Sequence, residues 1–218
     1  MTHAQVVTIS RMITHLMTLV ALTLSMANSQ SPVVPQLPVP APTAPAGAAP
    51  PAVVAPVPAE KSFALTSTLF ATNTAFPAVC TADGAGTSPP LAWTDAPKTT
   101  VSFAILMDDP QARGFVHWTI WGIPATTTTL AEAVPQDLEV KSPAGARQGV
   151  TSWGKERPGY WGSAPGKGSG VHHYTFTIDA LDAQLDLKAG ATAKQFKKAI
   201  EGHVLSTATL VGLYERPG

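Results

Sequence analysis

The sequence predicts a mainly β domain that begins near residue 62. Three observations lead to this prediction. The prolines are crowded before that point, several later stretches alternate with the two-residue period of β-strands, and one stretch near the C-terminus has the period of a helix.

Composition separates the domain from the residues that precede it. The chain has 218 residues and 21 prolines, and ten of those prolines fall between Ser31 and Pro58. Such a density favours a disordered, extended spacer over residues 28–61 rather than a packed element. Residues 62–218 are numerous enough to form one domain with a hydrophobic core.

The overall charge excludes one class of protein. The formal net charge is +0. Proteins that bind nucleic acid usually carry a basic excess or stripe, because neutralising phosphates supplies much of their affinity. We therefore exclude nucleic acid as a partner.

Residues 1–27 have the pattern of an export signal. Arg11 precedes a mostly apolar run, and Ser25 and Ala27 are the small residues that signal peptidase requires. The run is short for a membrane span, which needs about 20 apolar residues, so an uncleaved anchor is the second choice. The sequence thus predicts a periplasmic or secreted protein that meets a membrane only through an uncleaved leader.

Four stretches have strand character. They are rich in apolar, β-branched and aromatic side chains, and two of them alternate clearly. In chain order they are residues 101–107, 116–121, 172–178 and 205–214.

Alternation assigns side chains to the faces of two of these strands. In the second stretch it places His117 on the same face as Trp121. In the third it places His172 and Tyr174 on the face of Phe176, which must pack in the core. We therefore expect His172 and Tyr174 to point inward.

One helix is predicted near the C-terminus. Thr192 and Gln195 form a Thr-x-x-Gln capping box at its start. Phe196 and Ile200 belong to an apolar stripe, and Gly202 is placed to end the helix.

Polar groups cluster at the ends of the predicted strands. Asp109 follows the first strand, His117 begins the second, and His172 and Tyr174 open the third. Residues 131–170 read as one long connection whose glycine-rich end leads into His172, and such long loops are usually functional. Imidazoles, a phenol and free backbone amides are donors that suit a phosphate or a carboxylate.

Several short motifs occur in a fixed order along residues 62–218. They are TSPPLAW at 87–93, MDDPQA at 107–112, HW at 117–118 with IP at 123–124, QG at 148–149, GYWG at 159–162 with Pro165, HHY at 172–174, GHVL at 202–205 and LVGLY at 210–214. In these motifs the chain resembles the phosphatidylethanolamine-binding protein family, in its bacterial, Raf kinase inhibitor-like branch.

The resemblance implies an antiparallel β-sandwich, with a large central sheet packed on a smaller one. It also implies a C-terminal helix, one or two short helices, and a pocket for phosphate, acetate or a phosphoethanolamine-like head group. We expect no metal and no cofactor there. The positions that match the family pocket are Asp109, His117, Gly162, His172 and Tyr174.

The sequence departs from the family pattern around the pocket. Gln111 replaces a carboxylate and Arg113 replaces a proline, which shifts the expected ligand from an ammonium-bearing head group towards a bare anion. Ala164 and Gly166 replace a glycine and a proline of the loop, and His173 replaces an arginine on the outward face.

The leading interpretation is an exported, non-enzymatic protein that binds a small anion or a phosphorylated head group. One alternative is a metal-dependent hydrolase that uses Asp109, His117 and His172, although no HExxH-type motif is present. Another is a protease inhibitor that acts through residues 131–170. Nucleophilic catalysis is disfavoured, because the only cysteine, Cys80, has the character of a small core residue and no motif pairs a serine with a base.

Overall fold

A computed structural model of the chain describes residues 61–218, so the predicted leader and nearly all of the predicted spacer lie outside the described residues. The described part contains eleven strands, one α-helix and two 3₁₀ helices. The strands are β1 (Ala64–Thr66), β2 (Thr74–Ala75), β3 (Leu91–Thr94), β4 (Ser102–Asp109), β5 (Phe115–Pro124), β6 (Thr129–Leu130), β7 (Arg147–Gln148), β8 (Val150–Thr151), β9 (Gly154–Pro158), β10 (His172–Leu181) and β11 (Val204–Tyr214). The helix is α1 (Ala193–Ile200), and the 3₁₀ helices are Ala78–Cys80 and Pro110–Ala112. No helix within residues 61–218 has the length and hydropathy needed to cross a membrane.

The strands form a large sheet and a smaller one, as predicted. The large sheet has six strands in the order β2-β11-β10-β4-β5-β7, and the smaller one has the order β1-β3-β6. Strands β8 and β9 form a separate pair. The large sheet is antiparallel except at one edge, where β2 pairs in parallel with β11, so the fully antiparallel expectation is wrong for that two-residue strand.

The four predicted strands and the predicted helix are all present. Strands β4, β5, β10 and β11 cover the predicted stretches apart from residue 101, and they extend beyond them by one to three residues at an end. Helix α1 has the complete capping box, since the Thr192 hydroxyl accepts from the backbone of Gln195, whose side chain bonds back to Thr192. Gly202 follows the helix with a φ of 81°, the left-handed conformation that favours glycine.

Two apolar clusters lie on opposite faces of the large sheet. The larger cluster fills the space between the two sheets and includes Trp93 from β3, Ile105 from β4 and Phe176 from β10. The smaller cluster packs Phe196 of α1 against Trp121 of β5. The strands that carry the candidate site are therefore fixed by packing on both faces.

Residues 131–170 are not the structureless connection that the glycine and proline content suggests. They contain β7, β8 and β9 and are anchored by the fully buried side chain of Gln148. Gln148 accepts a hydrogen bond from the Trp118 indole at 2.6 Å and donates to the carbonyls of Pro135 and Asp137 at 2.7 and 2.6 Å. One amide side chain thus ties this segment to the central sheet.

Candidate functional site

The polar groups predicted from the strand ends meet at one edge of the large sheet. In the sheet β4 lies between β5 and β10, so Asp109 at the end of β4 lies between His117 of β5 and His172 of β10. Four of the five predicted residues are buried or nearly so in their side chains: Asp109 is 2% exposed, His117 3%, Tyr174 0%, and the His172 side chain 13%.

Asp109 and His172 form the central pair of the site. The Nδ1 atom of His172 donates to the Oδ2 atom of Asp109 at 2.6 Å. The second carboxylate oxygen accepts from the backbone N–H of Ala112 at 3.2 Å, because Asp109 caps the 3₁₀ helix that Pro110 begins. The Asp-Pro sequence therefore fixes the carboxylate, and the carboxylate in turn orients the imidazole.

Ser169 is a site residue that the sequence argument missed. Its hydroxyl donates to the carbonyl of Gly166 at 2.6 Å and lies 3.0 Å from the Nε2 atom of His172. The serine proton is directed to Gly166, so the turn holds the hydroxyl oxygen against the ring of His172. No sequence motif indicates this serine–histidine contact, because it arises from the turn at residues 166–169.

Tyr174 supplies a buried hydroxyl without a partner. The ring stacks beside that of His172, with centroids 6.3 Å apart, and meets the ring of His117 edge to face at 5.2 Å. Among residues 61–218 no group accepts a hydrogen bond from the hydroxyl. Burial, followed by the nearby Asp109 carboxylate, raises the pKa of Tyr174, so the phenol remains a hydrogen-bond donor at physiological pH.

His117 reaches the site through an irregularity in β5. The pairing of β4 with β5 shifts between Met107 and Asp108, which leaves His117 as an extra residue on β5. Such a β-bulge changes the direction of side chains. The His117 ring contacts Tyr174, whereas Trp121 lies on the face of the large sheet that α1 covers. The simple alternation predicted for His117 is therefore wrong, and its place in a ligand pocket stays a prediction.

The protonation of His117 is set by its burial and by the polar groups around it. Its Nδ1 atom donates to the carbonyl of Trp161 at 3.0 Å. Burial lowers the pKa of His117 and outweighs the opposing effects of this hydrogen bond and of Asp109. The ring is therefore neutral near pH 7.

Gly162 lies where the loop before β10 crosses the chain after the first 3₁₀ helix. A Cβ atom there would lie 2.5 Å from the carbonyl carbon of Thr81 and 2.7 Å from the amide nitrogen of Ala82. The close approach allows the Ala82 N–H to donate to the carbonyl of Ser163 at 2.9 Å. The structure thus gives Gly162 a packing role beside the site.

Cys80 is a core residue, as its isolation in the sequence indicates. It is 0% exposed, and burial raises the pKa of its thiol to about 12. Its carbonyl accepts a hydrogen bond from the buried hydroxyl of Tyr160 at 2.5 Å. Cys80 and Tyr160 therefore hold the loop near Gly162 in place.

Three of the residues that depart from the family pattern, Gln111, Arg113 and His173, are exposed. Gln111 directs its side chain to His173, bonding both the imidazole and the backbone N–H, the latter at 3.2 Å. Arg113 is exposed and has a φ of 58°.

The C-terminal residues brace the loops around the site, which the sequence argument did not foresee. Arg216 binds Asp83 through two nitrogens and also donates to the carbonyl of Pro165 at 3.4 Å. Tyr214 donates to the same carboxylate. The hydrogen bonds of Arg216 and then of Tyr214 lower the pKa of Asp83.

A groove lies next to the site. It has a volume of about 420 Å³ and is bordered by Trp153, Trp161, Gly162 and Ala164, among others. Within residues 61–218, His, Cys, Asp and Glu side chains form no group of three that could hold a metal ion.

Comparison with known proteins gives a consistent picture. The family model described as phosphatidylethanolamine-binding protein matches residues 66–215. The UPF0098 protein PH1269 of Pyrococcus horikoshii is 42% identical over 159 residues, which cover 72% of this chain and 79% of that protein. LppC of Mycobacterium tuberculosis, which carries a lipoprotein name, is 35% identical over 162 residues, 73% of this chain and 76% of its own.

Solved structures agree with these sequence matches. The crystal structure of Escherichia coli YbcL, titled as a new member of the mammalian PEBP family, aligns with a TM-score of 0.66 at 30% identity. The alignment covers 71% of this chain and 99% of YbcL. A homologue from Chlamydia trachomatis aligns with a TM-score of 0.62, also at 30% identity, covering 71% of this chain and 98% of its own.

Proposed function

The chain belongs to the phosphatidylethanolamine-binding protein family, and from this premise we propose that it is an exported, non-enzymatic protein that binds a small anion or a phosphorylated head group. The observation that carries the proposal is the buried hydroxyl of Tyr174, which has no acceptor within residues 61–218. Buried polar groups are almost always hydrogen-bonded, and exceptions call for an explanation such as a ligand. An anion supplies the missing acceptor.

The charges around Tyr174 favour a ligand of this kind. Both oxygens of the Asp109 carboxylate are already hydrogen-bonded within the protein, one to His172 at 2.6 Å and the other to a backbone N–H. The Tyr174 hydroxyl is a buried donor beside them. A donor next to an engaged carboxylate favours an oxyanion over an ammonium group.

Binding accounts for the local groups better than catalysis does. The Ser169 hydroxyl is committed to the carbonyl of Gly166, and the thiol of Cys80 is buried with a raised pKa. The thiol has no lowered pKa, and the Ser169 proton is directed to the Gly166 carbonyl rather than to the His172 ring 3.0 Å away, so neither group is set up as a nucleophile.

Export is supported by two independent features. The first is the pattern of residues 1–27, and the second is the lipoprotein name of the relative LppC. We propose a periplasmic or secreted location for the ligand-binding domain.

Thermal unfolding with and without ligand tests the proposal. Inorganic phosphate and phosphoethanolamine at about 100 times their Kd should raise the Tm of the wild type by about 5–10 °C. His172→Ala and Tyr174→Phe should lose this shift, because each removes a donor of the site.

A matched control comes from another histidine–aspartate pair. His203 lies 2.9 Å from Asp182 on an exposed part of the domain, so His203→Ala should keep the full shift. Equal shifts in all four proteins, or none in the wild type, would rule out the proposed site.

A further inference from the structure

The groove beside the candidate site is lined by two tryptophans, an arginine and several small residues. We name it the Trp–Arg groove; its lining includes Trp153, Arg157 and Trp161 together with Gly86, Gly162 and Ala164. Its volume of about 420 Å³ is within the range of small-molecule sites. The space is therefore sufficient for a ring-sized organic group.

Arg157 is an uncompensated cation in this groove. Its guanidinium carbon lies 4.5 Å from the centroid of the Trp161 ring and 5.6 Å from that of Trp153. Within residues 61–218 the only salt bridges are those of His172, Lys197, His203 and Arg216, so no carboxylate pairs with Arg157. The guanidinium is flat and delocalised, and it lies over the Trp161 ring.

The groove adjoins the site through two direct contacts, both with His117. The Trp153 ring packs edge to face against the His117 ring at 4.9 Å. The Trp161 carbonyl accepts the hydrogen bond of His117 at 3.0 Å. A ligand held at Tyr174 and His172 thus has the groove as its immediate neighbour.

We propose that the Trp–Arg groove binds the planar ring of an aryl phosphate whose phosphate group occupies the site described above. The inference rests on the proposed function and adds the chemical class of the ligand. A flat unsaturated ring can stack against tryptophan and guanidinium faces, which favours it over a saturated ring of equal size. The small lining residues leave room for the ring beside the backbone, and the flat guanidinium of Arg157 offers the ring a further surface on which to stack.

Calorimetric titration of the full-length protein with four probes tests this inference. The probes are inorganic phosphate, methyl phosphate, cyclohexyl phosphate and phenyl phosphate. We expect phenyl phosphate to bind at least about tenfold more tightly than methyl phosphate, and cyclohexyl phosphate to show little of that gain. Arg157→Ala should reduce the gain to less than about threefold and leave the affinity for inorganic phosphate unchanged.

The control variant is Lys155→Ala, which removes another exposed cation from β9. It should bind all four probes like the wild type. If inorganic phosphate binds but methyl and phenyl phosphate bind equally, the inference is wrong and the proposed function stands. An equal gain for cyclohexyl phosphate, or a gain that Arg157→Ala leaves intact, also overturns the inference. Failure of inorganic phosphate to bind the wild type overturns the proposed function itself.

Discussion

Tyr174 and Tyr160 are fully buried phenols whose hydroxyls have opposite surroundings. The Tyr174 hydroxyl has no acceptor within residues 61–218, whereas the Tyr160 hydroxyl donates to the Cys80 carbonyl at 2.5 Å. A buried polar group without a partner costs about 1–3 kcal/mol, and losing one partner of a buried hydrogen bond costs a similar amount.

Replacing each of the two tyrosines by phenylalanine should therefore change the free energy of unfolding in opposite directions. Without phosphate, Tyr174→Phe should raise the free energy of unfolding by about 1 kcal/mol, and Tyr160→Phe should lower it by about 1–3 kcal/mol. Urea denaturation in a phosphate-free buffer measures both. Destabilisation by Tyr174→Phe to the same extent as Tyr160→Phe would show that the Tyr174 hydroxyl already has a partner.

His117 predicts a pH dependence of stability. Burial lowers its pKa below the ordinary value of 6.5, so below pH 6.5 the unfolded chain binds a proton at this residue more readily than the folded chain does. The contribution of neutral His117 is fully present above pH 6.5, and it is lost as the pH falls towards the lowered pKa of the folded state.

The free energy of unfolding at pH 7.5 and pH 5.0 tests this sign. The wild type should lose more stability over this interval than His117→Asn, by about 1.4 kcal/mol for each unit by which folding lowers the pKa. Asparagine is suited as the control because its amide can still donate to the Trp161 carbonyl. An equal or steeper loss in His117→Asn would contradict the assignment of a neutral, buried ring.

At the residue scale the sequence could predict inward side chains but not irregular ones. His172, Tyr174 and Phe176 share a face because β10 is regular, and the two-residue period is visible in the chain. The β-bulge at His117 depends on the register between β4 and β5, which leaves no periodic trace. Ser169 meets His172 only because a turn brings them together.

Two glycines of the loop before β10 differ in how closely the chain passes them. A Cβ at Gly162 would lie 2.5 Å from the backbone of Thr81, whereas a Cβ at Gly166 would meet nothing closer than 3.8 Å. Neither has a positive φ, so the space around the Cβ is what separates them.

The comparison predicts different outcomes for the same substitution. Gly162→Ala should separate the loop from Thr81 and Ala82, lower the free energy of unfolding by about 1–3 kcal/mol and weaken phosphate binding. Gly166→Ala should leave the free energy of unfolding within about 0.5 kcal/mol of the wild type. Chemical denaturation and phosphate titration of both variants provide the test, and equal behaviour would argue against the packing role of Gly162.

At the element scale, long periodic stretches were predictable and short strands were not. Strands β4, β5, β10 and β11 and helix α1 each contain enough residues to show a period or a cap. Strands β7 and β8 have two residues each, which is too few for a pattern. What orders them is the buried amide of Gln148, and its partners lie up to 30 residues away in sequence.

As a whole, the domain described by residues 61–218 combines a sandwich core with a helix on the opposite face of the large sheet. The order of strands in that sheet requires contacts between distant parts of the chain, so periodicity alone could not supply it. The family resemblance predicted the two sheets. The hydrogen bonds of Tyr214 and Arg216 with Asp83 were not predicted. Nothing in the C-terminal sequence indicates which loop these two side chains contact.

At the scale of the whole chain, the predicted cleavage of residues 1–27 can be tested. If residues 1–27 act as an export signal, cleavage after Ala27 should give a mature chain that starts at Asn28. Intact-mass measurement of the protein recovered from the cell exterior or periplasm checks the cleavage site. A full-length mass confined to the membrane fraction would instead identify residues 1–27 as an anchor.

The central claim is that an anion completes the hydrogen bonding of Tyr174, and a crystal structure of the protein grown with phosphate tests it most directly. The account predicts a phosphate ion with one oxygen within hydrogen-bond distance of the Tyr174 hydroxyl, beside the His172–Asp109 pair. A structure at saturating phosphate whose ion lies elsewhere, with the Tyr174 hydroxyl bonded to a protein group, would contradict it.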